Sequence, residues 1–178
     1  EDAALQGIRE TLGIEGDALL PDGIVEAVKM GTTVATNALL ERKGERTLLA
    51  VTRGFADQLR IGYQNRPNIF ARRIELPELL YESVVEIDER LSAEGDILTP
   101  LDVVDARESL QAAFDDGIRS VAICFMHGYR YHEHEAEVGK IARDIGFTQV
   151  SVSHEVSPLM KFVGRNLVII TTMIFFQL

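Results

Sequence analysis

Small and hydroxyl-bearing residues gather in one stretch of the chain, MGTTVATNALLERKG, which runs from position 30 to position 44. A short β-like run precedes the stretch and a helix-like run follows its first residues, so a predicted strand passes into a helix there. Glycine lets a ligand approach the backbone, threonine hydroxyls donate to oxygen anions, and the first amides of a helix carry a partial positive charge. The pattern predicts a site for a phosphate or a polar substrate, with these candidate ligands: Gly31, Thr32, Thr33, Thr36 and Asn37.

A plain helix start explains the same residues. Thr32 or Thr33 is suited to cap the helix, and Thr36 and Asn37 then face water. The stretch also lacks the second glycine and the lysine of a Walker phosphate-binding loop. From the residues alone, both the ligand site and the helix cap stay open.

Arginines collect in the segment from position 52 to position 91, although the chain as a whole carries a net charge of −10. Among them are Arg53, Arg60, Arg66, Arg72 and Arg73. A guanidinium group binds a carboxylate or a phosphate in a fork, so we select Arg53 and Arg66 as candidate ligands of an anionic group. The alternative is that these arginines are solvated or ion-paired at the surface.

Histidine and glutamate alternate in HGYRYHEHE, positions 127 to 135. On a strand, His132 and His134 would share one face, and Glu133 and Glu135 would add oxygen ligands for a metal. At a helix start the two histidines diverge and the glutamates complement the helix dipole. We favour the helix start and assign no metal ligand.

A second acidic and basic pair stands in SHEVSP, positions 153 to 158. His154 and Glu155 could act together as an acid–base pair. A turn at the end of a strand, before Pro158, explains the same residues, and we favour the turn.

These candidates are positioned by strand-like and helix-like runs that alternate along the chain. Besides the β-like run GIVEAVKM (23–30), the predicted strands are TLLAVT (47–52), SVAICFM (120–126) and QVSVSHEV (149–156), and YESVVEIDERL (81–91) is strand-like. Two further helices are predicted between these strands. The first has Thr99 as its N-cap and Pro100 in its first turn, and Gly117 follows its end. The second is a run of helical periodicity that ends at Gly146. Alternation of this kind predicts a mainly parallel α/β sheet with flanking helices, whose sites lie at the carboxyl ends of the strands.

Composition excludes several function classes. A net charge of −10 without a basic stripe argues against nucleic acid and against an anionic membrane as partners. The single cysteine, Cys124, leaves no disulfide framework and favours the cytoplasm, and the acidic N-terminus lacks the features of a signal peptide. The apolar run NLVIITTMIFFQL (166–178) is shorter than the roughly 20 residues of a membrane-spanning helix. We predict that it is a buried strand or helix whose covering partner is missing.

Several long blocks resemble the N-terminal region of the hydantoinase A and 5-oxoprolinase family. They are GTTVATNALLERKGERTLLAVTRGFAD, IGYQNRPNIF, LYESVVEIDERL, SVAICFMHGYRYHEHE and VSVSHEVSPLMKFVGR. The blocks follow one another in family order from about Met30 to Arg165, and two of them resemble ATP-dependent 5-oxoprolinases most. We therefore assign residues 1–165 to this region and treat residues 166–178 as an anomalous apolar tail.

The resemblance implies an ATP-dependent hydrolase of cyclic amides, on an actin-like ATPase fold with two lobes. It implies ATP and magnesium as cofactors, 5-oxoproline or a hydantoin as the substrate, and, as partner, the remainder of the chain or a hydantoinase B-type subunit or domain. Family members begin with a phosphate loop that this chain lacks, so we expect a fragment of a longer enzyme that is inactive alone. Two alternatives stay open, an ATP-dependent carboxylase subunit of the same family and a non-catalytic binding module.

Overall fold

The computed structural model describes residues 3–14, 45–64, 68, 70–74, 76 and 78–176. It divides the chain into two units, Glu1–Thr32 and Thr33–Leu178. In the first unit, helix α1 spans Ala3–Thr11. Six of the predicted ligands lie outside the described residues: Gly31, Thr32, Thr33, Thr36, Asn37 and Arg66.

The second unit alternates strands and helices. In chain order, the elements among its described residues are β1 (Thr47–Thr52), α2 (Gln58–Ile61), β2 (Ser83–Ile87), β3 (Arg90–Leu91), β4 (Ile97–Thr99), α3 (Val103–Asp115), β5 (Ser120–Cys124), α4 (Glu133–Ile145), β6 (Gln149–Val152), α5 (Ser153–Val156) and α6 (Phe162–Phe176). Four strands form one sheet in the order β2-β1-β5-β6, and every pairing in it is parallel. The predicted parallel α/β sheet is confirmed.

Both faces of the sheet are covered, which explains why its strands read as continuous apolar runs. Successive side chains of a strand point to opposite faces. In β1, Leu48 and Ala50 pack with residues of α3 and α4, whereas Leu49 and Val51 pack with residues of α6. The strand predicted from Thr47 to Thr52 has the bounds that the structure shows, and all six of its residues are buried.

The predicted start of the helix after the hairpin is wrong by three residues. Thr99 pairs with Arg90 in the antiparallel β3–β4 hairpin, which the sequence analysis does not predict. The N-cap is Asp102, whose carboxylate accepts hydrogen bonds from the amides of Val104 and Asp105, at 3.1 and 3.0 Å. Pro100 therefore precedes the helix. The backbone of Thr99 is bound in the hairpin, and the side chain of Asp102 satisfies the first amides of the helix.

The end of β6 also differs from the prediction. The strand stops at Val152, and residues 153–156 form the short helix α5. Side-chain contacts of Ser153 and His154, described below, turn the chain at this point. The helix before it, α4, ends as predicted at Gly146, which has the left-handed backbone that favours glycine (φ 113°).

Residues 166–176 of the apolar C-terminal run lie in α6, whose covering partner is the sheet. Ile169, Ile170 and Met173 are buried against the face formed by Leu49 and Val51 of β1. The expectation of a missing partner is therefore wrong for this face of the helix. Among the described residues, no helix is both long and apolar enough to cross a membrane.

Candidate active site

Polar side chains meet at the carboxyl edge of the sheet, where β1, β2 and β5 end. The Thr52 hydroxyl, at the end of β1, donates to Oε1 of Glu89, which follows β2 by two residues. The amide of Met126, just beyond β5, donates to the same hydroxyl at 2.8 Å. Nδ1 of His134, in the first turn of α4, lies 2.8 Å from Oε2 of Glu89. We call this set the Thr52–Glu89–His134 chain.

The members of the Thr52–Glu89–His134 chain differ in how far they are buried. The side chain of Glu89 is fully buried, and Thr52 is buried too. The side chain of His134 is 13% exposed, so the imidazole is the member that reaches the surface. An ionised carboxylate in such a place requires hydrogen-bond donors, and the hydroxyl and the imidazole are placed to supply them.

A second buried carboxylate, Glu135, joins three elements. Its Oε1 accepts from the amide of Phe125 at 2.7 Å and from the hydroxyl of Ser153 at 2.6 Å. Its Oε2 accepts from the amide of His154 at 3.1 Å and lies 2.8 Å from Nδ1 of the same residue. Glu135 therefore ties α4 to the ends of β5 and β6, which is more than the interaction with a helix dipole that the sequence analysis assigns to it.

The pairing of His154 with Glu155 is not the main contact of that histidine. Nε2 of His154 lies 4.0 Å from Glu155, whose carboxylate also lies 3.6 Å from the guanidinium of Arg143. The stronger partner of His154 is Glu135, at 2.8 Å. The favoured interpretation as a turn at the strand end is confirmed by the helical turn over residues 153–156.

A buried arginine, Arg165 of α6, contacts the same end of β5 from the opposite face of the sheet. Its guanidinium donates to the carbonyl of Phe125 and, at 3.4 Å, to the carbonyl of Leu159. Its Nε lies 3.2 Å from Sγ of Cys124. Both backbone groups of Phe125 and the amide of Met126 are thus bound by buried side chains, which fixes the path of the chain out of β5.

The loop that leaves β5 has a strained backbone at a histidine. His127 has a positive φ of 61°, a conformation that is uncommon outside glycine. A Cβ on the neighbouring Gly128 would overlap the carboxylate of Glu135, so only glycine fits there. Strained residues persist where the surrounding contacts determine the backbone, and they concentrate at functional sites.

Burial raises the pKa of the Cys124 thiol from 9.0 to about 12, and the nearby Arg165 opposes the shift. The unfolded thiol therefore loses its proton at lower pH than the folded one. The thiol contributes stability below about pH 9, and this contribution is lost as the pH rises toward 12.

Cys124→Ala should remove that pH dependence. We expect the free energy of unfolding of the wild type to fall relative to the variant between pH 8 and pH 10.5, by up to roughly 1.4 kcal/mol per pH unit above 9. Urea unfolding of both proteins at several pH values measures the difference. A difference that stays constant across this range would show that the thiol is not buried in the folded state.

The arginines of the irregular segment divide into different environments. Arg53 pairs with Asp88 at 3.0 Å and with Asp105 at 3.5 Å, and its side chain is 53% exposed. The ion-paired alternative thus describes its present contacts, while its role as a ligand stays a prediction. Arg60, Arg72 and Arg73 are exposed.

The two histidines of the HEHE run diverge, as the helix interpretation predicts. His132 is the N-cap residue of α4, and its ring stacks on that of His154 at 4.6 Å between centroids. His134 turns instead to Glu89. Over the part of the chain that the structure describes, no group of three or more His, Cys, Asp or Glu side chains is arranged to bind a metal.

Sequence reasoning does not select Thr52, Glu89 or Arg165. A signal is available for two of them, because Thr52 ends a buried strand and Glu89 follows the extended run YESVVEI. Polar residues just after parallel strands lie at one edge of the sheet, where ligands bind. Arg165 gives no such signal, since its position depends on how α6 packs.

Comparisons with known proteins agree with this architecture. The model of the hydantoinase/oxoprolinase N-terminal region matches residues 1–146. The 5-oxoprolinase of Dictyostelium discoideum is 40% identical over 196 aligned residues, which cover 93% of this chain and 16% of that protein. The chain therefore spans only a small part of the length of this relative.

Two solved structures share the fold. An ATP-dependent caprolactamase from Pseudomonas jessenii superposes with a TM-score of 0.75 at 24% identity, covering 94% of this chain and 25% of that one. An acetone carboxylase, in a nucleotide-free structure, gives a TM-score of 0.69 at 22% identity, covering 77% of this chain and 21% of that one. At these identities the likeness shows the fold alone. Because the model of the family's N-terminal region matches most of the residues, the chain belongs to the hydantoinase/oxoprolinase family.

Proposed function

We propose that this chain is part of an ATP-dependent enzyme that opens a cyclic amide, with 5-oxoproline as the substrate and glutamate as the product. The observation that carries the proposal is the 40% identity to a 5-oxoprolinase across 93% of the chain. The fold supports it, since an ATP-dependent caprolactamase, which is named for another cyclic amide, has the same architecture.

ATP supplies the driving force for a reaction that a lactam resists. An amide carbon is a poor electrophile because its nitrogen donates electrons to the carbonyl. Transfer of the γ-phosphoryl group to the lactam oxygen makes the ring carbon electrophilic and provides a leaving group. Magnesium, when bound, would neutralise the charge that develops on the phosphates of ATP.

The carboxyl edge of the sheet is the part of the chain that we assign to this chemistry. In parallel α/β proteins, ligands bind at the carboxyl ends of the strands. Two buried carboxylates, Glu89 and Glu135, each position an imidazole there. We further propose that the junction at Gly31, Thr32, Thr33, Thr36 and Asn37 binds the substrate or the transferring phosphate, and that Arg53 and Arg66 bind an anionic group of the ligand.

The proposed enzyme needs more than these residues. Since the chain spans 16% of the 5-oxoprolinase it resembles, we propose that the remainder of a longer chain, or a hydantoinase B-type subunit or domain, completes the ATP site. A cytoplasmic location is part of the proposal, and the free, buried thiol of Cys124 is compatible with a reducing compartment.

An ATP-dependent carboxylase is the second candidate function. It is favoured by the likeness of the fold to acetone carboxylase, which covers 77% of the chain. The identity to the 5-oxoprolinase is higher, at 40% against 22%, so we rank cyclic amide opening first.

A substrate panel tests the proposal. The intact gene product that contains this chain is incubated with MgATP and one of three additions: 5-oxoproline, a hydantoin, or acetone with bicarbonate. We expect 5-oxoproline to raise ADP formation well above the level without substrate, and the 178-residue chain alone to form no ADP above a blank. If only acetone with bicarbonate raised ADP formation, the carboxylase would be favoured. If none of the three additions raised it, both candidate functions would be refuted.

A further inference from the structure

The direction of each hydrogen bond in the Thr52–Glu89–His134 chain follows from the groups involved. The amide of Met126 only donates, so the Thr52 oxygen accepts that bond and keeps its own proton for Oε1 of Glu89. The other oxygen, Oε2, is 2.8 Å from Nδ1 of His134. With Glu89 as a carboxylate, its oxygens accept and do not donate, and Nδ1 then carries the proton of that bond.

This arrangement sets the tautomer of the imidazole. With the proton on Nδ1, the neutral ring of His134 presents a lone pair at Nε2. No side chain or backbone group in the described ranges makes a hydrogen bond with this Nε2. The side chain is partly exposed, at the edge of the sheet where ligands bind. A buried carboxylate, a fixed tautomer and an Nε2 that makes no hydrogen bond with the described residues are the features that a histidine needs to transfer protons to and from a substrate.

The neighbouring pair of Glu135 and His154 is arranged differently. Both oxygens of Glu135 also bind backbone amides, those of Phe125 and His154. The ring of His154 is stacked on His132, and its Nε2 faces Glu155 at 4.0 Å. This second pair therefore holds elements together. Among the described residues, Oε2 of Glu89 contacts only His134.

We propose that His134 is the general acid–base residue of ring opening, and that Glu89 and Thr52 position it. The inference rests on the proposed function. Nε2 of His134 takes a proton from water while the water oxygen bonds to the ring carbon, whose oxygen carries the phosphoryl group from ATP. The π electrons of the carbon–nitrogen bond move onto the ring nitrogen, which keeps its own hydrogen. The C–N bond then breaks, and the imidazolium returns its proton to the ring nitrogen. The second proton of the water leaves with the amine, which gives an ammonium group and an acyl phosphate that another water hydrolyses.

Glu89→Gln tests the positioning role without changing the shape of the side chain. The amide oxygen of the substituted side chain still accepts from Thr52, so its NH2 group faces Nδ1 of His134 and must donate to it. The proton of the neutral imidazole then moves to Nε2, the wrong tautomer for a base. We expect kcat for 5-oxoproline-dependent ADP formation by the intact gene product to fall on the order of 10³–10⁴-fold, with KM changed little.

Nitrogen-15 NMR of the intact gene product reads the tautomer directly and does not depend on turnover. We expect the wild type at neutral imidazole to carry the proton on Nδ1 of His134, and Glu89→Gln to carry it on Nε2. His134→Gln in the intact gene product should lower kcat on the order of 10²–10⁴-fold. The matched control is His132→Gln, two residues away and exposed, for which we expect kcat near that of the wild type.

The outcomes separate this inference from the proposed function. A wild-type His134 protonated on Nε2, or a His134→Gln variant with nearly normal kcat, overturns the role of His134 and leaves the function standing. A wild type that never couples 5-oxoproline to ADP formation overturns the function and this role with it. Tautomer reversal in Glu89→Gln, together with loss of kcat in both variants and not in the control, supports the inference.

Discussion

Glu135→Gln is expected to lower the free energy of unfolding by about 3–5 kcal/mol, because it disrupts the hydrogen bonds of a buried carboxylate whose two oxygens both have partners. The carboxylate is entirely buried and accepts bonds from Phe125, Ser153 and His154 through four donor atoms. The amide of glutamine has one acceptor oxygen, and its NH2 group would face donors. At least one buried backbone amide loses its hydrogen-bond acceptor. An unsatisfied buried amide lowers the free energy of unfolding by more than the hydrogen bond itself contributed.

Urea unfolding or a thermal melt followed by circular dichroism measures this effect. For a chain of this size we expect a melting temperature lower by about 10 °C. Glu137→Gln is the matched control, since Glu137 is exposed on the same helix and should change stability by less than about 0.5 kcal/mol. Equal stability of the two variants would mean that Glu135 does not tie α4 to the ends of β5 and β6.

Arg165→Ala should have an effect of similar size, by a different route. Arg165 is 1% exposed, and its guanidinium donates to the carbonyls of Phe125 and Leu159. Truncation leaves both carbonyls without this donor and opens a cavity between α6 and the sheet. We expect the loss of its buried packing, together with the lost hydrogen bonds, to cost about 3–5 kcal/mol.

Cys124 provides a second readout for this variant, because its Sγ lies 3.2 Å from Nε of Arg165. We expect the buried thiol of the wild type to react with a thiol reagent only when the chain opens, and Arg165→Ala to react much faster. Arg143→Ala serves as the control, since Arg143 is half exposed and lies 3.6 Å from Glu155 at the surface. Unchanged labelling and stability in Arg165→Ala would contradict the proposed packing of α6.

Elements whose signal is local can be predicted from the sequence. β1 is apolar on both faces, so TLLAVT is recognisable with its observed bounds. Gly146 ends α4 because only a residue that tolerates a positive φ fits there, and glycine is the residue that does so without strain. The helix start at the HEHE run follows from the same kind of local reasoning.

Features that depend on distant contacts escape such reasoning. Thr99 resembles a helix cap because its pairing with Arg90 in a hairpin leaves no mark in the local pattern. Glu89 and His134 stand 45 positions apart, and their contact exists because the residues after β2 and the first turn of α4 both lie at the carboxyl edge of the sheet. Helical periodicity assigns His134 to a helix but does not identify its partner.

The central claim, that the protein couples ATP to the opening of a cyclic amide, is tested most directly by measuring two products in one sample. The intact gene product is incubated with MgATP and 5-oxoproline, and glutamate and ADP are quantified over time. We predict that the two products form in equal amounts and that each requires both substrates. ADP without glutamate, or no dependence of ADP formation on 5-oxoproline, would contradict the claim.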